Sequence, residues 1–530
     1  MASFIFAHRS IARALYLGSA WVFFLSACSD EGTTGQRVDN DPAQQVPQAT
    51  GCTRPSIPDA PFAAARQVVG SGSPASCHEA ALIQAVSVGG TITFSCGSDP
   101  HTITLSTELV PQKDVFLDGG GLITISGNGK TRILNMDKGG AANLRLRGLS
   151  LSRGFASGSG AAVLSSYRSN VYVESVTFDG NIAGSSGEDG GALYLKSGSH
   201  GVIIGSRFTH NQGGTGGALH SLLSDLRVID SIFSNNDATS GSSSGTQNGQ
   251  AGGGYGAAIY IDGAAESGGS GEVVICGTRF LSNTSAGQGG AVFSFVYGQK
   301  VTIDRSLFQG NSVVRNARND ALGGALRHGN GPLNVLRSTF LGNSSADQGG
   351  ALWIGESAPV TAENVTLYDN RAGSLGGALM LSSGTVTLRN ATIVKNQAGS
   401  EGGAVLGDKR ITLLASLVAD NTAQNPYGNK QNCSQPGNLG NNPSPVLQGS
   451  GNLEWPTISS SYNNPYCTSG SVIADPLVSG VPGDNGGPIP TLALTAGSPA
   501  VAAGTNCAAI DARGQPRPTQ CTLGAFELIP

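Results

Sequence analysis

Apolar residues in this chain recur in a fixed phrase rather than at one helical or alternating period. The phrase reads Gly-Gly-Ala-aliphatic, then a short apolar strand, then an apolar or aromatic residue, two variable residues and Asn. Its clearest copy opens at Gly349-Gly350-Ala351-Leu352 and closes at Leu367-Tyr368-Asp369-Asn370. Other openings start at Gly160, Gly190, Gly216, Gly256, Gly289, Gly323, Gly376 and Gly402, with Ala as the second residue after Gly160 and Gly256. Closures run from Phe178–Asn181 through Phe208–Asn211, Phe233–Asn236, Phe280–Asn283, Phe308–Asn311 and Phe340–Asn343 to Val418–Asn421. The positions five and seven before each closing apolar residue are apolar too, as at Val171 and Val173 or Leu333 and Val335. That is a period-two strand with one face inward.

The openings at Gly323, Gly349, Gly376 and Gly402 lie 26 or 27 residues apart. Two or three short strands with turns fill such a period once, which is one coil of a parallel β-helix. A propeller blade would need about 40–45 residues. The fold expected is all-β, a single-stranded parallel β-helix of roughly a dozen coils at about 4.8 Å each. Each position has a predicted task. Gly-Gly supplies positive φ at the turn. Ala leaves room only for a methyl where coils stack. The next aliphatic points inward, and the closing aromatic stacks along the axis. The Asn sits in the left-handed region and bonds to the Asn above and below.

Flanking text differs. The residues from His78 to Val86 carry apolar positions at helical spacing and end at Gly89-Gly90. A short helix before stacked strands is a cap over an open sheet end. The longest insertion, Asp237 to Tyr255, is rich in Ser, Gly, Thr, Asn and Gln and reads as a surface loop. After Asn421 the phrase dissolves into Asn-, Pro-, Ser- and Gly-rich text, an expected irregular C-terminal cap. The domains are thus residues 1–27 (signal), 28–51 (flexible tether), 52–142 (N-terminal cap and first coils), 143–421 (repeats) and 422–530 (C-terminal cap).

Composition agrees with stacked β structure: 79 Gly, 3 Met and 12% charged residues in 530. The net charge of −4 points away from nucleic acid. Arg9 and Arg13 precede an apolar stretch from Ala14 to Leu25, a targeting segment. Its end, Leu25-Ser26-Ala27-Cys28, resembles a bacterial lipobox. The resemblance implies that Cys28 is lipidated and holds the protein to the membrane, and Ser29 after it implies the outer membrane. Eight cysteines remain besides Cys28, an even number in an exported chain. Proximity in sequence suggests Cys77 with Cys96, Cys433 with Cys467 and Cys507 with Cys521, leaving Cys52 and Cys276 by elimination.

The interleaved Gly-Gly-Ala-aliphatic and Phe-x-x-Asn phrases resemble the repeats of chlamydial polymorphic outer-membrane proteins, over about Asn143 to Asn421. The segment from Cys77 and the run from Ala474 to Glu527 resemble end modules of bacterial surface β-helix proteins. These resemblances imply a right-handed, pectin-lyase-like solenoid at the cell surface, often serving adhesion. Those proteins end in a transmembrane barrel. Nothing after Asn421 shows its alternating strands of about ten residues, so the lipid anchor is expected to replace it.

Catalytic chemistry is thinly marked. Asp230 and Asp304 are candidates for a shared register, with Glu174 nearby, but they are not on adjacent coils. His78, His210, His220 and His328 show no ligand spacing and read as surface or turn residues, so no metal, cofactor or catalytic set is assigned. The residue after the inward aliphatic should face outward: Tyr194, His220, Tyr260, Phe293, Arg327, Trp353 and Met380 in successive copies. Such a stripe can hold sugar rings or a partner protein, unless loops or the tether cover it. The expected function is a non-enzymatic adhesin or binding protein of the envelope, its partner a glycan or a surface protein. The alternatives are a polysaccharide lyase or glycoside hydrolase, and an envelope spacer.

Overall fold

The computed structural model describes residues 47, 50–184, 190–243, 246–247, 250–251, 253–424, 432–436, 445–456 and 466–529. The expected signal segment and Cys28 lie outside the described residues. Stacked parallel strands form a parallel β-helix, as the repeat period predicts. One coil shows the plan: strands Leu352–Gly355, Pro359–Glu363, Thr366–Tyr368 and Arg371–Ala372 follow one another around the turn. Strands that follow the Gly-Gly-Ala phrase stack into an 11-stranded sheet. The two central strands of each coil belong to a 26-stranded sheet, and the short strands after the Asn form a 6-stranded one. Neighbouring coils pair in parallel and in register, for example Leu326 with Leu352 and Leu352 with Leu379.

The inward aliphatics Leu193, Leu219, Ile259, Val292, Leu326, Leu352, Leu379 and Val405 lie in one continuous core. The closing phenylalanines stack along it: Phe208 and Phe233 have ring centroids 4.6 Å apart at 4°, and Phe308 and Phe340 4.6 Å at 6°. The asparagines form the predicted ladder. Asn283 Nδ2 donates to Asn311 Oδ1, Asn311 to Asn343 and Asn343 to Asn370, each at 2.9 Å.

Two turn positions differ from expectation. The left-handed conformation falls on the residue before each ladder Asn, such as His210 (φ 53), Ser282 (φ 52) and Lys395 (φ 60). The Asn itself already spends its side chain on the ladder, and the turn is made one step earlier. Within Gly-Gly, the first glycine turns the chain, as at Gly349 (φ 65). The second is required for space: a Cβ on Gly350 would overlap the Gly377 carbonyl oxygen of the next coil.

The helix Glu79–Val88 closes one end of the core through Leu82, Ala85 and Val86. His78 begins it, its Nδ1 accepting from Ala81 N at 3.3 Å. Beyond the repeats, the strands Cys433–Ser434 and Leu453–Trp455 continue the sheets. Asn432 takes the next rung, accepting from Asn421 Nδ2 at 3.0 Å. Cys433, Val446, Leu447 and Cys467 extend the same core there. Disulfides join Cys52 to Cys276, Cys77 to Cys96, Cys433 to Cys467 and Cys507 to Cys521.

Two segments without repeats lie along the flank. Residues 50–62 form a strap that runs back toward the first coils. Cys52 is bound to Cys276, Arg54 to Asp230, Asp59 to Arg145, and Phe62 packs 5.9 Å from Phe116. The strap covers an apolar face made by Phe116, Tyr172, Val202, Ile204 and Ile229. Residues 478–528 cover a second face, over Tyr368, Val394, Leu417, Ala419 and Leu453. Thr339 Oγ1 donates to Pro490 O at 2.7 Å, and Ala525 N to Thr392 Oγ1 at 2.9 Å.

Candidate functional site

The residues after the inward aliphatics fall into one column of the 11-stranded sheet. Tyr194 pairs with His220, His220 with Tyr260, Tyr260 with Phe293, Phe293 with Arg327, Arg327 with Trp353 and Trp353 with Met380. Strict alternation puts this column on the outer side, because Leu219, Ile259 and Val292 beside it are in the core. Ring centroids are 4.5 Å apart for Tyr194 and His220, 4.5 Å for His220 and Tyr260, and 4.8 Å for Tyr260 and Phe293. The Arg327 guanidinium continues the stack, 4.9 Å from the Phe293 ring and 5.1 Å from Trp353.

The column is outward but not open. Phe293 is 6% exposed, Arg327 5% and Trp353 8%. Part of the reason is the spacing of the sheet itself: neighbours less than 5 Å apart cover each other's faces. The rest is a flanking column one turn earlier, in which Gln288, Leu322, Gln348, Leu375 and Glu401 pair coil to coil. Trp353 Nε1 donates to Gln348 Oε1 at 3.2 Å, and Leu322 and Leu375 pack on Trp353, Met380 and Leu406. The strap lies over a different face.

Insertions add residues that the repeat pattern did not mark. Tyr255 stacks on Phe293 at 5.2 Å and bonds to Arg318 through its hydroxyl. A Cβ on Gly287 would meet both Tyr255 and the Asn316 amide, so these two side chains close on the same spot. Both lie in irregular segments, where spacing carries no signal.

His220 and His328 are not surface residues. His220 sits inside the ring column, and burial pushes it down to about 3. His328 faces the interior, its Nε2 2.9 Å from Gly331 O, and burial pushes it down to about 4. His210 is exposed in its turn beside Asp179.

The acidic pair also resolves differently. Asp304 lies in the column of Glu174, Ile204, Ile229 and Cys276, whereas Asp230 is one residue further on. Asp230 is 1% exposed and holds the strap through Arg54 Nε (3.1 Å) and Thr50. Asp304 accepts from Arg337 Nε at 2.9 Å. Both carboxylates are engaged by the strap or by arginine. A cavity of about 310 Å³ is lined by Cys52, Pro55, Ile229, Val274, Asp304 and Arg305. Among the described residues no group of three or more His, Cys, Asp or Glu is placed to hold a metal, and no helix is long and apolar enough to cross a membrane.

The stacked coils define a repeat parallel β-helix. The repeats match the Chlamydia polymorphic membrane protein (Chlamydia_PMP) repeat at residues 175–196 and 337–355. The chain is also similar to the probable autotransporter YfaL of Escherichia coli (strain K12), 28% identical over 185 residues. That similarity covers 33% of this chain and 14% of the relative. The chain is a Pmp-like parallel β-helix, and its likenesses are to bacterial outer-membrane and surface proteins.

Proposed function

We propose that this protein is a β-helix displayed at the bacterial cell surface, anchored through Cys28 and acting as a non-enzymatic adhesin or binding protein. The observation that carries the reading is the outward column from Tyr194 to Met380, unbroken across seven coils. Stacking turns Tyr194, His220, Tyr260, Phe293, Arg327 and Trp353 into a continuous edge of which only a narrow rim reaches solvent. Such an edge suits a linear partner, a glycan chain or an extended segment of a surface protein. The likeness to surface proteins supports the location, and the lipobox-like Leu25-Ser26-Ala27-Cys28 supports the anchor.

Two experiments test the two halves. Replacing Tyr260, Phe293 and Trp353 together by Ala should reduce binding to a glycan array and to cells at least tenfold while the protein still folds. Unchanged binding would overturn the binding column. Cys28→Ser should prevent radiolabelled palmitate incorporation and release the protein from the membrane fraction. A membrane-bound, unlabelled variant would show that the anchor lies elsewhere.

A further inference from the structure

Eight buried polar side-chain atoms among the described residues lack a hydrogen-bond partner, and four of them gather beside the ring column. They are Gln288 Oε1, Asn316 Nδ2, and Nε and one terminal nitrogen of Arg327. Continuity is given by contacts already described. Asn316 and Tyr255 meet at Gly287, next to Gln288, Tyr255 stacks on Phe293, and Phe293 stacks on Arg327. A buried polar group left unmatched keeps its full desolvation penalty. Four along one side of the column form an unfavourable arrangement unless something completes it.

Arg327 shows what that something is. A guanidinium presents a planar fork that takes a carboxylate by two parallel hydrogen bonds. Here it is clamped between Phe293 and Trp353, which holds its plane, and only its second terminal nitrogen is used, by Glu356. Glu356 itself is 36% exposed and stands in a left-handed turn (φ 45) directly after the strand Leu352–Gly355. An exposed carboxylate on a turn, resting on a buried half-used fork, can be exchanged for a carboxylate from outside. Gly329 leaves room for this: a Cβ there would collide with the Glu356 carboxylate and crowd Arg327. On the Phe293 side of the fork, beside Tyr255, the amide of Asn316 offers a donor and that of Gln288 an acceptor, the pair a sugar hydroxyl takes.

The geometry points to a binding site for an acidic saccharide, centred on Arg327, with Glu356 as an internal stand-in for the ligand's carboxylate. The inference rests on the binding column proposed above and names the ligand class that it takes. The ring packs against the edges of Tyr255, Phe293 and Trp353. The acid group displaces Glu356 and takes the fork of Arg327. Asn316 and Gln288 pair with hydroxyls.

The test is calorimetric binding of tetragalacturonate and of its methyl ester to the full-length protein. The two probes share their rings and differ in charge. Wild type should bind the acid at least tenfold more tightly than the ester. Arg327→Met, which keeps the buried stem, should bring the two affinities together. Glu356→Gln should tighten binding of the acid several-fold, because the competing charge is gone and Arg327 is untouched. This second variant carries the test if Arg327→Met does not fold. Equal binding of both probes, lost in the Tyr260, Phe293 and Trp353 triple variant, would overturn the acid preference and leave the column intact. Unchanged affinity in Glu356→Gln would also overturn it. Binding of neither probe would overturn the saccharide site, and the cell-binding assay would then decide the column separately.

Discussion

Asn343 accepts from the backbone and side chain of Asn311, and donates to Phe308 O and to Asn370. Its loss therefore strands buried groups on neighbouring coils. Asn343→Ala should destabilise by about 2–4 kcal/mol in urea denaturation, from two or more buried groups at roughly 1–3 kcal/mol each. The neighbouring glycines give a paired control. Gly350→Ala drives a methyl into the Gly377 carbonyl and should prevent folding, whereas Gly342→Ala meets open space and pays only for its φ of 61. His328 adds a pH dependence. Its folded form stays neutral down to about 4, while the unfolded imidazole takes a proton as pH falls below about 6.5. The unfolded state then binds more protons, so stability falls from pH 6.5 toward 4 and is undisturbed above. His328→Gln should narrow the difference between the Tm at pH 7.5 and at pH 4.5.

At the scale of elements, strands and flank segments are held by different physics. Strand pairs repeat the same contacts coil after coil, so any one is replaceable in kind. The strap has no strand neighbour over residues 50–62 and depends on a few bonds: the Cys52–Cys276 disulfide, Arg54 on Asp230, and Asp59 on Arg145. The disulfide spans a sequence separation of 224, a long loop to constrain in the unfolded chain. Such links are worth about 2–5 kcal/mol. Cys52→Ser with Cys276→Ser should lower stability by about that much, and limited proteolysis should then cut within residues 50–62 first. Resistance equal to wild type would mean that the ion pairs and apolar packing hold the strap without the disulfide.

For the molecule as a whole, the two flank segments divide the helix between them. The strap reaches the coils from Phe116 to Cys276, and the C-terminal segment those from Leu341 to Leu453. Both lie along the stack and tie several coils into one unit, where bare repeats would contact only their neighbours. Ending the chain at Ala474 should expose Tyr368, Val394, Leu417 and Ala419, raise binding of an apolar dye and split one thermal transition into two. A single transition at the wild-type temperature would show that the coils cooperate without the segment. Much of this plan was legible in advance. The phrase marked inward aliphatics, the phenylalanine stack and the asparagine ladder. It marked the column from Tyr194 to Met380 as outward, but not the cover that Gln288, Leu322, Gln348 and Leu375 lay over its side. It did not place Tyr255 or Asn316, and it misaligned Asp230 with Asp304, which stand one residue apart once pairing is seen.

The division has one cause. Contacts inside the helix join residues one period apart, so repetition in the chain displays them: Gly350 under Gly377, Asn343 under Asn370, Leu352 under Leu379. The strap, the C-terminal segment and the insertions do not repeat, and their partners lie far away in sequence, as Thr50 with Asp230 or Thr339 with Pro490. Pattern therefore decided the coil, its core and its ladders. Only folding in three dimensions decided which faces were covered, which histidines were buried, and that Arg327 would stand half-paired between Phe293 and Trp353.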